Sequence, residues 1–68
     1  MKFKLINAVV TRNFTIPMFI NPDWIFAMCP AQEGTFILYQ EGQSFIAAES
    51  MEELHRIFTD ENGWEWIG

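Results

Sequence analysis

Apolar residues recur along this chain in short runs, and turn-forming residues separate them. Residues 3–10 (FKLINAVV), rich in β-branched and aromatic types, predict a first strand. Arg12-Asn13 predicts a turn, and residues 14–20 (FTIPMFI) predict a second strand. Pro17 assigns that strand to a sheet edge or a bulge, because proline cannot donate to a ladder. Asn21-Pro22-Asp23 predicts the next turn: an asparagine before proline is held out of the α region, and Pro22 fixes its own φ. Residues 24–29 (WIFAMC) read as a third extended segment and residues 30–34 (PAQEG) as a polar loop. Residues 35–40 (TFILYQ) and 43–48 (QSFIAA) predict a hairpin around Glu41-Gly42, with Gly42 supplying the positive φ that a tight turn needs.

The period then changes. Ser50-Met51-Glu52-Glu53 forms a capping box, in which Ser50 accepts from free backbone N–H groups and Glu53 reaches back to Ser50. Met51, Leu54, His55 and Phe58 follow at helical spacing and predict one apolar face, on a helix from about 51 to 58. Glu52 and Arg56 stand four apart on the other face, and Asn62-Gly63 closes the region. The tail, Trp64-Glu65-Trp66-Ile67-Gly68, alternates, with both tryptophans on one side. It predicts either a last strand covering the core edge or an exposed aromatic anchor.

These elements add up to an α+β fold. The expected architecture is a small antiparallel sheet of about four to five strands, with a barrel-like closure as one form, and one short helix near the C-terminus. Residues 1–68 are read as a single small interaction domain. A chain of 68 residues buries only about 60% of its unfolded surface and usually needs a supplement to its core. Cys29 is the only cysteine, so an internal disulfide is excluded, and Cys29 with His55 falls short of a metal-ligand set. Self-association remains as the supplement, favoured by seven Phe and three Trp in a chain that is half apolar.

Charge narrows the partners. Four basic residues face nine acidic ones, a formal net charge of −5, which opposes the phosphate neutralisation that drives nucleic-acid binding. The longest strongly apolar run, Trp24 to Cys29, is far below the roughly 18 residues of a membrane span. Asn7 and Thr11-Arg12-Asn13 interrupt the N-terminal apolar region, which therefore reads as a strand and not as a signal peptide. A lone cysteine fits a reducing compartment, so the expected location is the cytoplasm.

No catalytic residues and no cofactor are expected. His55 reads as the edge of a core stripe and Cys29 as a small buried hydrophobe. Ser50 is committed to the cap, and Glu49, Glu52 and Glu53 favour a helix N-terminus.

The ordered string Ile20-Asn21-Pro22-Asp23, Gly34-Thr35-Phe36-Ile37, Gly42 and Glu49-Ser50-Met51-Glu52-Glu53-Leu54 resembles the FlbD/SwrD family of small flagellar proteins. The resemblance spans about residues 5–58 and implies a role around motor assembly or motor power. The chain departs from the family pattern in four places. Phe26 and Cys29 stand where the pattern is polar, and Leu38 replaces a polar residue between two apolar ones. Glu41-Gly42 replaces Asn-Gly, and the tail from Thr59 is added.

Alternation sets Phe26 and Leu38 opposite Ile25 and Ile37, so that if the isoleucines face the helix the other two face outward. The expected interface residues are Phe26, Leu38, Trp64 and Trp66. The expected function is non-enzymatic: an adaptor that binds an unidentified protein partner and forms a homo-oligomer, with neither nucleic acid nor a membrane span involved. A phage- or mobile-element-encoded inhibitor of a host protein is the alternative, motivated by small size, acidity and surplus aromatics.

Overall fold

The computed structural model describes residues 2–66. Its strands are β1 (Lys2–Thr11), β2 (Phe14–Ile20), β3 (Ile25–Ala31), β4 (Gly34–Tyr39), β5 (Ser44–Ala47) and β6 (Glu65–Trp66). The one helix, α1 (Met51–Thr59), lies between β5 and β6. All pairings are antiparallel, in the order β2-β1-β5-β4-β3, and β6 pairs with the N-terminal end of β1. The fold is α+β as expected, with six strands; the sheet stays open between its edges β2 and β3 and does not close into a barrel.

Three boundaries differ from the sequence reading. Trp24 belongs to a turn of 3-10 helix, Pro22–Trp24, started by Asn21, whose Oδ1 accepts from the Asp23 N–H at 3.0 Å. Strand β3 runs on through Pro30 to Ala31, so the polar loop shrinks to Gln32-Glu33. In the β4–β5 turn both Glu41 and Gly42 have positive φ, 61° and 73°, and the Gln43 N–H donates to the Gln40 carbonyl at 3.2 Å. That is a type I′ turn, whose first central position suits Asn and costs an ordinary residue about 1–2 kcal/mol. Glu41→Asn is therefore expected to raise the melting temperature by several degrees, about 1 kcal/mol of added stability; thermal unfolding by circular dichroism measures it.

One face of the sheet is the core. Ile6 and Ala8 of β1, Ile20 of β2, Ile37 and Tyr39 of β4 and Ala47 of β5 are buried there, and α1 closes over them with Leu54. Each fully buried Ile or Leu contributes about 1.5–3 kcal/mol. Tyr39 also satisfies a backbone donor, since its hydroxyl oxygen accepts from the Asn21 N–H at 2.8 Å. Its ring meets Trp24 and Phe45 edge-on, at 6.1 and 5.7 Å. The buried Thr35 hydroxyl donates to the Glu49 carbonyl at 2.9 Å.

The capping box forms as read. Ser50 Oγ accepts from the Glu53 N–H at 3.2 Å, and Glu53 Oε1 accepts from the Ser50 N–H at 3.1 Å. The Ser50 backbone N–H, and then its hydroxyl, hold the Glu53 carboxyl below the usual carboxylate range. The apolar face is rotated from the expected one: Leu54, Ile57 and Phe58 turn inward, while His55 is exposed and Met51 sits at the rim. Capping ties the helix start to Ser50, and the inward stripe then follows i, i+3, i+4 from Leu54.

A thin seam joins the β1–β2 hairpin to the β3–β4–β5 meander. Strands β1 and β5 share one bridge, Ala8 with Ala47. Beside it the Ala48 N–H donates to the Asn7 carbonyl at 2.7 Å. The next ladder acceptor is a side chain: both Glu49 carboxylate oxygens accept from the Asn7 N–H, at 3.2 and 3.1 Å, and Oε2 also accepts from Asn7 Nδ2 at 3.1 Å. Glu49 thus extends the sheet where the chain has left it for the helix, a different role from the dipole contact expected of it. Glu49→Ala is expected to cost about 0.5–1.5 kcal/mol, since water can replace the carboxylate at these exposed donors, and faster amide exchange at Asn7 is the local readout.

Candidate functional site

The register defines the second face of the sheet. Lys4, Ile6 and Ala8 point into the core, so Leu5, Asn7 and Val9 point away from it. Pairing then aligns Thr15, Val9, Ile46, Phe36 and Cys29 in one row across all five strands. A flanking row holds Ser44, Leu38 and Ala27, and on the other side come Asn7 with Pro17 and then Leu5 with Phe19. No charged side chain projects from any of these positions. Leu5, Phe19 and Phe36 are exposed, and Val9, Ile46 and Leu38 are half-buried against one another.

Phe26 and Leu38 are both turned away from the core, as alternation from Ile25 and Ile37 implies. Phe26 is the extra residue of a β-bulge between Ile25 and Ala27 and is 71% exposed on the edge strand. The structure brings Leu38 into the outer face together with Ala27 and Cys29, and sets Phe26 at its margin. Cys29 is exposed on this face, correcting the expectation of a buried thiol: Met28, its neighbour, takes the core side opposite Ile37. Phe36, Leu5 and Phe19 were missed as surface residues, although the alternation that turns out Leu38 also turns out Phe36.

The two tail tryptophans separate from that face. Trp64 is half-buried over Lys4, whose Nζ lies 4.5 Å from its ring centroid, and Lys2 Nζ lies 5.2 Å from the same ring. Trp66 pairs with Lys2 in the β1–β6 ladder and is 74% exposed. Trp64 therefore takes the covering role of the two roles expected for the tail. Ile67 and Gly68, also assigned to the tail, lie outside the described residues.

Lys4 itself is 2% exposed. Its ammonium donates to the Asp60 carbonyl at 2.8 Å and to the Asn62 carbonyl. A cation is thus spent on the carbonyls at the end of α1, with the Trp64 ring stacked on it.

Two other features compete as sites. An open hollow of about 390 Å³ lies between Lys2, the 21–23 turn, Phe58 and Trp64. At the tip of the β1–β2 hairpin, Val10, Phe14 and Ile16 are exposed; Ile16 pairs with buried Ala8 and so prolongs the core face beyond its cover. Among the described residues, no three His, Cys, Asp or Glu side chains gather as metal ligands, and no helix is long and apolar enough to cross a membrane. Comparison with protein-family models, curated proteins and solved structures gives no match.

Proposed function

We propose that this chain is a non-enzymatic binding module that engages protein through the outer face of its sheet. The observation that carries this reading is the uncharged row from Thr15 to Cys29, with Phe36 exposed in it and Leu38 beside it. A sheet face that meets only water commonly alternates to polar residues; an apolar one that stays uncovered marks an interaction surface. The hairpin tip offers three apolar side chains on two strands, and the hollow is lined by Lys2, Asp23, Asn21, Pro22 and two aromatic rings.

The exposed free thiol of Cys29 suits a reducing compartment, which supports a cytoplasmic location. The FlbD/SwrD-like residue string narrows the partner to a flagellar motor component; a gene position beside flagellar or chemotaxis genes supports that narrowing, and a position far from them counts against it. Glu33 and Glu41, on the turns at either end of β4, favour the inhibitor alternative insofar as they would meet a basic rim around an apolar cleft.

Site-specific photo-crosslinking inside the native cell tests the proposal. A photoreactive residue at Phe26, Phe36 or Leu38 is expected to capture protein, and the same residue at His55 or Glu52 on the exposed side of α1 is expected to capture none. Equal capture from both sides, or none from the sheet, overturns it.

A further inference from the structure

The occupant of the outer face can be identified more closely, on the reading that this face is a docking surface. We propose that it is a second copy of this chain, packed sheet against sheet about a two-fold axis to form a β-sandwich.

The strand edges argue first. A free sheet edge presents unpaired N–H and C=O groups that can template edge-to-edge pairing. Here the Asn7 N–H and carbonyl both point toward β5, so its partner across the hairpin, Pro17, turns its own backbone away from β1 and out to the free edge. The same reasoning runs through Ala47 and Thr35 to Pro30: the Ala48–Asn7 bond makes Ala8–Ala47 a non-hydrogen-bonded pair, which makes Ala47–Thr35 a bonded one. Thr35 therefore leaves Pro30 facing the free edge of β3. Each free edge thus carries a proline at a position where a donor would be presented, and β3 is bulged at Phe26 as well. Edge pairing is blunted on both sides, while the apolar face between them is open.

Charge comes next. A two-fold contact apposes the same patch of both copies, so for a chain of net charge −5 an uncharged patch avoids the repulsion that its acidic surfaces would meet. The row from Thr15 to Cys29 is such a patch. The Glu49 carboxylate beside it is bonded to Asn7, and Glu33 and Glu41 stay on the turns.

Area is the third argument. Five strands about 4.8 Å apart, with outward residues about 7 Å apart along each, offer roughly 500 Å² in projection. Side-chain relief brings two copies to about 1,000–1,200 Å², the lower bound of specific interfaces. The Phe36 and Phe19 rings supply the relief that interdigitates across the roughly 10 Å between packed sheets.

The like-charged turns give the dimer a salt signature. Screening removes repulsion between Glu33 and Glu41 of opposing copies, so self-association strengthens with salt, whereas a partner held by a basic rim weakens.

Sedimentation of the full chain, from micromolar to millimolar concentration at low and high salt, tests the proposal. The expected result is a shift from 8.0 kDa toward twice that mass, stronger at high salt. Phe36→Glu and Cys29→Arg are each expected to weaken it by about 100-fold or more, with circular dichroism unchanged. Cys29 is exposed at the end of the row, so Cys29→Arg decides the matter if Phe36→Glu fails to fold. Phe14→Glu, at the hairpin tip, is expected to leave the dimer intact. A single 8.0 kDa species at millimolar concentration overturns the proposal; so does a dimer that Phe14→Glu breaks and Cys29→Arg leaves intact. If the chain is monomeric while crosslinks from Phe36 lead to another protein, the second copy is wrong and the docking face stands. If neither dimer nor face crosslinks are found, both readings fall together.

Discussion

Gly34→Ala is expected to remove about 2–6 kcal/mol, a large share of this chain's stability. Gly34 opens β4 at φ +151°, and a Cβ there would lie 2.0 Å from the Ala47 carbonyl oxygen and 2.9 Å from the Ala48 carbonyl group. Those atoms are backbone, so no rotamer change relieves the clash. Nor can the backbone move freely, because Ala47 pairs with Thr35 on one side and Ala8 on the other. The Ala8–Ala47 bridge is the seam of the whole sheet. Overpacking costs about 1–3 kcal/mol, and a side chain in a sparsely populated backbone region adds about 1–3 kcal/mol. A domain of this size holds only about 3–10 kcal/mol in all, at roughly 0.05–0.15 kcal/mol per residue. Gly42→Ala is the control: its φ is +73°, and a Cβ there meets nothing within 4 Å, so only the backbone term of about 1–2 kcal/mol applies. Urea unfolding followed by tryptophan fluorescence compares the two. A wild-type midpoint for Gly34→Ala would mean that β4 and β5 slide past each other without cost.

Local chemistry made most of the fold readable. The Arg12-Asn13 turn, the Asn21-Pro22 turn and the Ser50 capping box each carry their own structural instruction, and the elements on either side fall where those signals put them. Long-range bonds were not readable. In β1, Lys4 is buried and Leu5 exposed. That facing is enforced from across the chain, by the carbonyls of Asp60 and Asn62 that bind the Lys4 ammonium. Glu49 shows the same thing, since its acceptor role depends on Asn7 lying beside it in the sheet.

The candidate site was half legible for a related reason. Alternation exposes Leu38 by a rule that needs only the strand. Phe26 faces out from Ile25 by the same rule, but the extra residue that β3 gains against β4 then turns Ala27 and Cys29 outward and Met28 inward, and nothing local marks that bulge. The tail pattern left Trp64 open as cover or as anchor, and what decides for cover is a buried lysine more than fifty residues earlier in the chain, under its ring. Aromatic excess signalled that something apolar would remain outside; which residues it would be depended on where the helix lay down.

Leu54→Ala is expected to lower stability by about 2–5 kcal/mol, the range for emptying a leucine site in a core. Leu54 is the one fully buried residue of α1, and its neighbours in the core are Ile6, Ile20, Ile37, Tyr39 and Ala47. All five belong to ladder-paired strands, which hold their spacing and cannot collapse into the gap, so the upper half of that range applies. A nine-residue helix has no stability of its own in water. Docking of Leu54, Ile57 and Phe58 therefore decides whether the helix exists, and the Lys4 clamp on Asp60 depends on the helix being in place. The loss should appear as a melting temperature about 15–30 °C lower, with amide protection falling first in α1 and at Trp64. His55→Ala, on the exposed side of the same helix, should stay within about 0.5 kcal/mol of wild type. If instead the two variants melt alike, α1 is not packed on the sheet through Leu54, and the division of the sheet into a covered and an open face would have to be redrawn.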